Sequence, residues 1–291
     1  LSRLYLNAET YIGVDKYSES LTYSKRIIDQ GFTLEPVYAN LFTADNDQSR
    51  EIIFPIRYEG EDTQTWGGMT FLLSAMQPSA LQADVNAVGA WQGNRATKAL
   101  LHTFEKESQH EVDTRFEMLR LDHTENIDIV DPSLFTDNGI PVVQYYNRNS
   151  DGTLPPSNIA YTDFPLFRLG EIYLNYAEAV VRGGTGGDMA TAVQLINDLR
   201  ERAYDGAAGA VINANQLTLD FILDERGREF FYEAQRRTDL IRFGKFTGTT
   251  YIWPWKGNVP EGRGVADFYS VYPIPADDIG ANENLVQNTG Y

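Results

Sequence analysis

Cysteine is absent from the 291 residues, which excludes disulfide scaffolds, thiolate metal sites and cysteine nucleophiles together. Histidine is scarce, with only His102, His110 and His123. His110 and Glu111 stand near Asp113, but no spacing matches a zinc motif, so the cluster reads as a polar helix end and no metal is expected. Positive charge is short as well: 24 Lys and Arg face 41 Asp and Glu, a net charge of −17. A nucleic-acid partner is therefore excluded, because phosphate contacts need clustered cations. The same acidity disfavours docking on anionic lipid. No run approaches the roughly 18 to 20 apolar residues of a membrane-spanning helix.

Catalytic signatures are missing too. There is no nucleophile elbow to support a Ser-His-Asp triad. The glycine-rich loop Gly183 to Gly187 has a helix before it and Asp188 after it, whereas a phosphate cradle needs a strand before and Lys-Ser/Thr after. It reads as an inter-helix turn, and no cofactor is expected. Asp224, Glu225 and Glu229 alternate with Arg226 and Arg228, and Arg236, Arg237, Asp239 and Arg242 follow. Such interleaving predicts an ion-pair lattice that fixes one helix on its neighbours. A glycosidase acid would need an apolar pocket to raise its pKa, and nothing here promises one. No catalytic residue is assigned.

What the chain does have is helical periodicity and aromatics. Leu1 to Tyr11 already reads as helix, with no leader and no N-cap ahead of it, the pattern expected of a chain cut from a longer one. Leu4, Ala8, Tyr11, Tyr17, Ser20, Leu21 and Ile27 give two amphipathic helices separated by a turn at Gly13. Their large and small positions resemble a tetratricopeptide unit. A second pair follows at 166–204, with Tyr173, Ala177 and Val180 on one helix and Ala192, Ile196 and Leu199 on the next. Thr218 reads as the N-cap of a further helix that buries Phe221, Ile222, Phe230 and Phe231. Between the pairs, 37–165 is rich in loops, with a strand-like run at Glu51 to Tyr58 and a helix over Ala96 to Lys106. Residues 205–291 hold the C-terminal helix and an irregular tail. The expected fold is all-α, a tetratricopeptide-like scaffold carrying a loop-built face, where function usually sits.

Four tryptophans need places. Trp253 and Trp255 read as loop anchors, and Trp91, within Trp-Gln-Gly-Asn-Arg, reads as structural. Trp66 lies in a polar, glycine-flanked stretch from Glu59 to Gly68, with no period to bury it. Either it anchors the loop, or it offers a flat face to the C–H side of a pyranose. In the second case the neighbouring Tyr58, Asp62 and Gln64 assist, the polar pair by hydrogen-bonding sugar hydroxyls.

At this point several ordered motifs resemble the SusD/RagB family. They are Phe164 to Ala179, Ile222 to Phe231 with Arg236, Asp239, Leu240 and Arg242, and the ending from Tyr272 through Asn282 and Asn284 to Tyr291. Trp91 to Thr97 and the run from Glu51 also fit. Gly227 departs from the family's larger residue, at a helical cost of about 1 kcal/mol. The resemblance implies a single domain over 1–291 that lacks some of the family's N-terminal portion. It further implies a surface-exposed outer-membrane lipoprotein of Bacteroidota, not an enzyme, held to the membrane only by a lipid anchor outside this sequence. Its ligand would be a glycan and its partner a SusC-like TonB-dependent transporter. The residues alone leave two rivals: a helical-repeat adaptor for proteins and a glycosidase.

Overall fold

The computed structural model describes residues 1–134, 138–207 and 209–291. Contacts divide the chain into two compact units, Leu1–Gln235 and Arg236–Tyr291.

The first unit opens with helices α1 (Ser2–Leu6) and α2 (Ala8–Ile12), then α3 (Tyr17–Ile28). The first two are one helical stretch interrupted at Asn7, whose side-chain amide donates to the Arg3 carbonyl at 2.8 Å. That interruption alters the repeat pattern. Ala8, Tyr17, Ser20 and Leu21 are buried as expected, but Leu4 and Tyr11 face solvent and Leu6 takes an interior place. Gly13 closes α2 in the left-handed region, at φ +69°, where glycine costs least.

Strand β1 (Ile52–Ile56) then leads into the loop-rich segment with α4 (Gly68–Ala75), α5 (Gln82–Val85) and α6 (Lys98–Glu105). Strand β2 (Phe164–Arg168) pairs antiparallel with β1 and runs straight into α7 (Leu169–Val181). Residues 164–168, part of the motif read as helix, are thus extended. Pro165 lies opposite Pro55 in this two-stranded ribbon, where each can leave its missing N–H on an edge. Helix α8 (Met189–Ala203) follows, and α7 contacts α1, α3, α8 and α9 (Leu219–Glu229). The loop before α8 is an inter-helix turn: a Cβ on Gly184 or Gly187 would meet the Leu21 side chain at 2.9 Å. Asp188 caps α8 by accepting from Thr191 N at 2.8 Å, and Thr218 caps α9 by accepting from Phe221 N at 3.2 Å. The core beneath the loops gathers Tyr38, Phe42, Met69, Leu73, Phe104, Tyr145 and Phe231.

The charged residues of α9 form a buried lattice. Glu225 accepts from Arg115, Arg200 and Arg228 at 2.8–2.9 Å. Glu229 accepts from Arg115, Arg168 and Arg202 at 2.5–2.9 Å. Arg168 also reaches Glu51 and Glu233 at 2.9 Å, and Asp113 grips Arg115 at 2.7 Å. Asp113 is therefore a structural anion, and among the described residues no cluster suits a metal ion.

This lattice sets an acid limit. Burial opposes the charge on Glu229, yet Arg202, Arg168 and Arg115 overcome it and hold the carboxyl at about 2, against 4.5 ordinarily. Glu225 is held low by Arg228, Arg115 and Arg200, again against burial. The folded state thus binds these protons more weakly than the unfolded chain. Their stabilisation is complete above about pH 4.5 and is lost as pH falls toward 2. Thermal melting scanned from pH 7 to 2.5 is expected to show the midpoint dropping steeply below pH 4.5. A midpoint unchanged across that window would refute the assignment.

In the second unit, α10 (Arg236–Arg242) precedes long irregular chain and a short α11 (Ala276–Ala281). Arg242 donates to Asp239 at 2.7 Å, and Arg236 to the Tyr251 hydroxyl at 3.0 Å.

Candidate functional site

The loop from Arg57 to Gly67 joins β1 to α4 and closes on its own polar groups. Its start is fixed by buried Asp163, which accepts from Tyr58 N at 2.8 Å. The Glu59 carboxylate accepts from the amides of Glu61 and Asp62 at 2.6 and 2.8 Å. Thr63 Oγ1 accepts from Glu59 N at 2.8 Å and donates to Glu59 O at 2.6 Å. Gln64 Nε2 donates to Gly60 O at 2.9 Å. Gly60 lets the Tyr161 ring lie against the backbone, where any Cβ would collide. A loop with its amides satisfied this way holds its shape without a core.

Trp66 stands at the end of that loop and is 68% exposed. The second tryptophan arrives from another segment. Residues 87–96 run along the C-terminal end of α4, where Trp91 N donates to Ser74 O at 3.0 Å and Asn94 N to Ala75 O at 2.9 Å. Helices end with unpaired carbonyls, so this strap supplies donors that α4 lacks. It carries the Trp91 ring outward, 37% exposed, with Nε1 over Gly89. The Trp66 and Trp91 centroids lie 6.4 Å apart, and Trp91 lies 6.1 Å from Phe71 on α4. Phe71 is itself 42% exposed. Three aromatic rings thus form one open row.

Trp91, read from the sequence as structural, has a backbone that fastens the strap and a ring that shares the surface of Trp66. Tyr58 is placed differently from Trp66. Half-buried against the core, it lies over Gly68, whose φ of +53° and missing Cβ make room for the hydroxyl. Asp62 and Gln64 are exposed on the loop that leads to Trp66. Gln64 spends one N–H within the loop, and the Asp62 carboxylate has no protein partner among the described residues. Phe71 is not singled out by the sequence, where 68–75 lies within the loop-rich segment and only Ala96 to Lys106 reads as helix; its ring is placed by α4.

Chemically the arrangement offers an open aromatic surface that follows a loop of exposed polar side chains. Buried aromatics cost nothing to explain, but neighbouring exposed ones mark an interaction surface.

The SusD family model matches residues 103–291. The starch-binding protein SusD of Bacteroides thetaiotaomicron is 35% identical over 336 aligned residues, which span all of this chain and 59% of that protein. Surface glycan-binding protein A from the same organism superposes with a TM-score of 0.70 at 25% identity, over 99% of this chain and 62% of that one. Its structure in complex with laminarihexaose gives 0.69 at 24% identity. The chain thus spans about three fifths of these relatives' length. With its helix-dominated, tetratricopeptide-containing fold, the chain belongs to the SusD family.

Proposed function

We propose that this protein binds a polysaccharide at the bacterial surface by stacking sugar rings on Trp66 and Trp91. The single observation that carries this reading is the exposed Trp66–Trp91 pair at 6.4 Å, held by two independently fastened loops. A pyranose is amphipathic, with an apolar C–H face that suits an aromatic plane and hydroxyls at its edge. Phe71 extends the row, Asp62 and Gln64 receive hydroxyls at its rim, and Tyr58 supports the turn from beneath. The protein acts as a binder and not as an enzyme. We further propose that residues 1–291 belong to one SusD-like domain without its N-terminal portion, in which residues 37–165 build the ligand face between the helix pairs of 1–36 and 166–204.

Identity to a starch-binding relative, and likeness to a protein solved with laminarihexaose, support a glycan ligand. Family membership supports the remainder: an outer-membrane lipoprotein that passes captured oligosaccharide to a SusC-like TonB-dependent transporter for nutrient uptake. Co-purification of the protein with that transporter tests the partnership.

Binding itself is tested by affinity electrophoresis through gels containing starch, laminarin or other neutral polysaccharides. Retardation in at least one gel is expected, with affinity between micromolar and millimolar because an open face buries little area and must order a flexible chain. Unaltered migration in every gel would overturn the reading in favour of a protein-binding adaptor.

A further inference from the structure

The second unit differs electrically from the first. Residues 236–291 hold six basic and six acidic side chains, so the other residues carry the whole net charge of −17. Within this neutral unit lies a cavity of about 680 Å³, a size typical of small-ligand sites. Its aromatic wall includes Trp253, Tyr272 and Tyr291, its basic groups are Arg237, Lys256 and Arg263, and no Asp or Glu lines it.

Among the described residues no carboxylate pairs with any of the three cations. Lys256 is only 2% exposed, and its ammonium donates to the carbonyls of Thr247 at 3.4 Å, Gly248 at 3.1 Å and Tyr251 at 2.7 Å. It also sits 4.5 Å from the Trp253 ring centroid, and among the described residues no carboxylate pairs with it. Burial lowers its pKa, the mark of a charge held without a neutralising partner. Arg237 lies 4.0 Å from the Tyr272 ring centroid and donates to the Tyr269 and Ser270 carbonyls. Arg263 donates its Nε to Gly257 O at 3.0 Å, and its head is exposed. Carbonyls and rings satisfy geometry but leave the positive potential in place, and a concave wall focuses it.

The wall is also built under strain. Trp255 and Asn258 occupy the left-handed region at φ +69° and +61°, with Gly257 at +66° between them. A Cβ on Gly257 would come within 2.7 Å of Arg263 Cγ, so glycine there is what lets Arg263 lie across the turn. Strained backbone of this kind concentrates at ligand sites.

We propose that this cavity is a second ligand site, which takes a saccharide bearing a carboxylate, such as a hexuronate unit of an acidic polysaccharide. The sugar ring meets the aromatic wall, Asn258 meets hydroxyls, and the carboxylate faces Arg263 and the buried charge of Lys256. Nothing in this assignment depends on the Trp66–Trp91 row, whose neighbours Glu59, Glu61 and Asp62 would repel the same ligand.

Saturation-transfer NMR and titration on the intact chain with glucuronic acid, glucose and sulfate test it. Glucuronic acid is expected to bind saturably and more tightly than glucose or sulfate, and equally well to a Trp66→Ala/Trp91→Ala variant. Arg263→Ala, at an exposed position, should keep its melting temperature and weaken glucuronic acid about tenfold. Binding of glucose as tight as glucuronic acid would remove the anion claim, and sulfate as tight would remove the sugar. Loss in the tryptophan variant, or no change in Arg263→Ala, would place the ligand elsewhere and overturn the site.

Discussion

Glu229→Ala is expected to remove about 3–5 kcal/mol of folding stability, the usual consequence of deleting one partner from a buried charge pair. The size follows from what is left behind. Arg115, Arg168 and Arg202 all donate to that carboxylate, and all three are buried. Water cannot replace the lost acceptor, so three guanidinium groups share the remaining anions Asp113, Glu51, Glu225 and Glu233. The check is urea unfolding followed by circular dichroism. A fall below about 1 kcal/mol, the range of surface pairs, would show that the lattice does not hold α9 in place. Glycan binding should survive at temperatures where the variant stays folded, because the lattice touches no part of the aromatic row.

The second large effect runs the opposite way, on binding and not on stability. Trp66→Ala and Trp91→Ala should each cost roughly 2 kcal/mol or more of glycan affinity, as truncated aromatic anchors do. From a micromolar-to-millimolar start, that removes detectable binding. Trp66→Ala should leave the melting temperature almost unchanged, since its ring is largely in water. Trp91→Ala should lower it slightly, because the ring covers Gly89 while the Ser74 and Ala75 contacts of its strap are backbone bonds. Isothermal titration beside thermal melting separates the two quantities. If Trp91→Ala instead unfolds the protein and Trp66→Ala binds normally, the row is not a ligand surface.

These residues also show how far a sequence can be read. Helical periodicity exposed α3, α7, α8 and α9; α3 and α8 bury one face, while α7 and α9 are buried nearly all round. The charges of α9 announced pairing by their alternation, but their main partners did not. Arg115, Arg168, Arg200 and Arg202 come from segments up to 114 residues away, the separation of Arg115 from Glu229, and only the fold brings them together. Trp66 was legible because nothing around it could bury it. Trp91 was only partly legible: its flanks suggested a structural motif, and the fold adds that the motif fixes the backbone while the ring is 37% exposed. Leu4 and Tyr11 failed through geometry, since a break at Asn7 rotates the faces on either side of it. The aromatic row precedes residue 103, where the family-model match begins, so its assignment rests on the geometry of Trp66, Trp91 and Phe71.

The most direct measurement is a crystal structure of this chain soaked with an oligosaccharide of whichever neutral polysaccharide retards it. The expected density is a run of sugar rings laid across Trp66 and Trp91, with hydroxyls reaching Asp62 or Gln64. An oligosaccharide bound at another surface, with the Trp66–Trp91 row bare, would contradict the account.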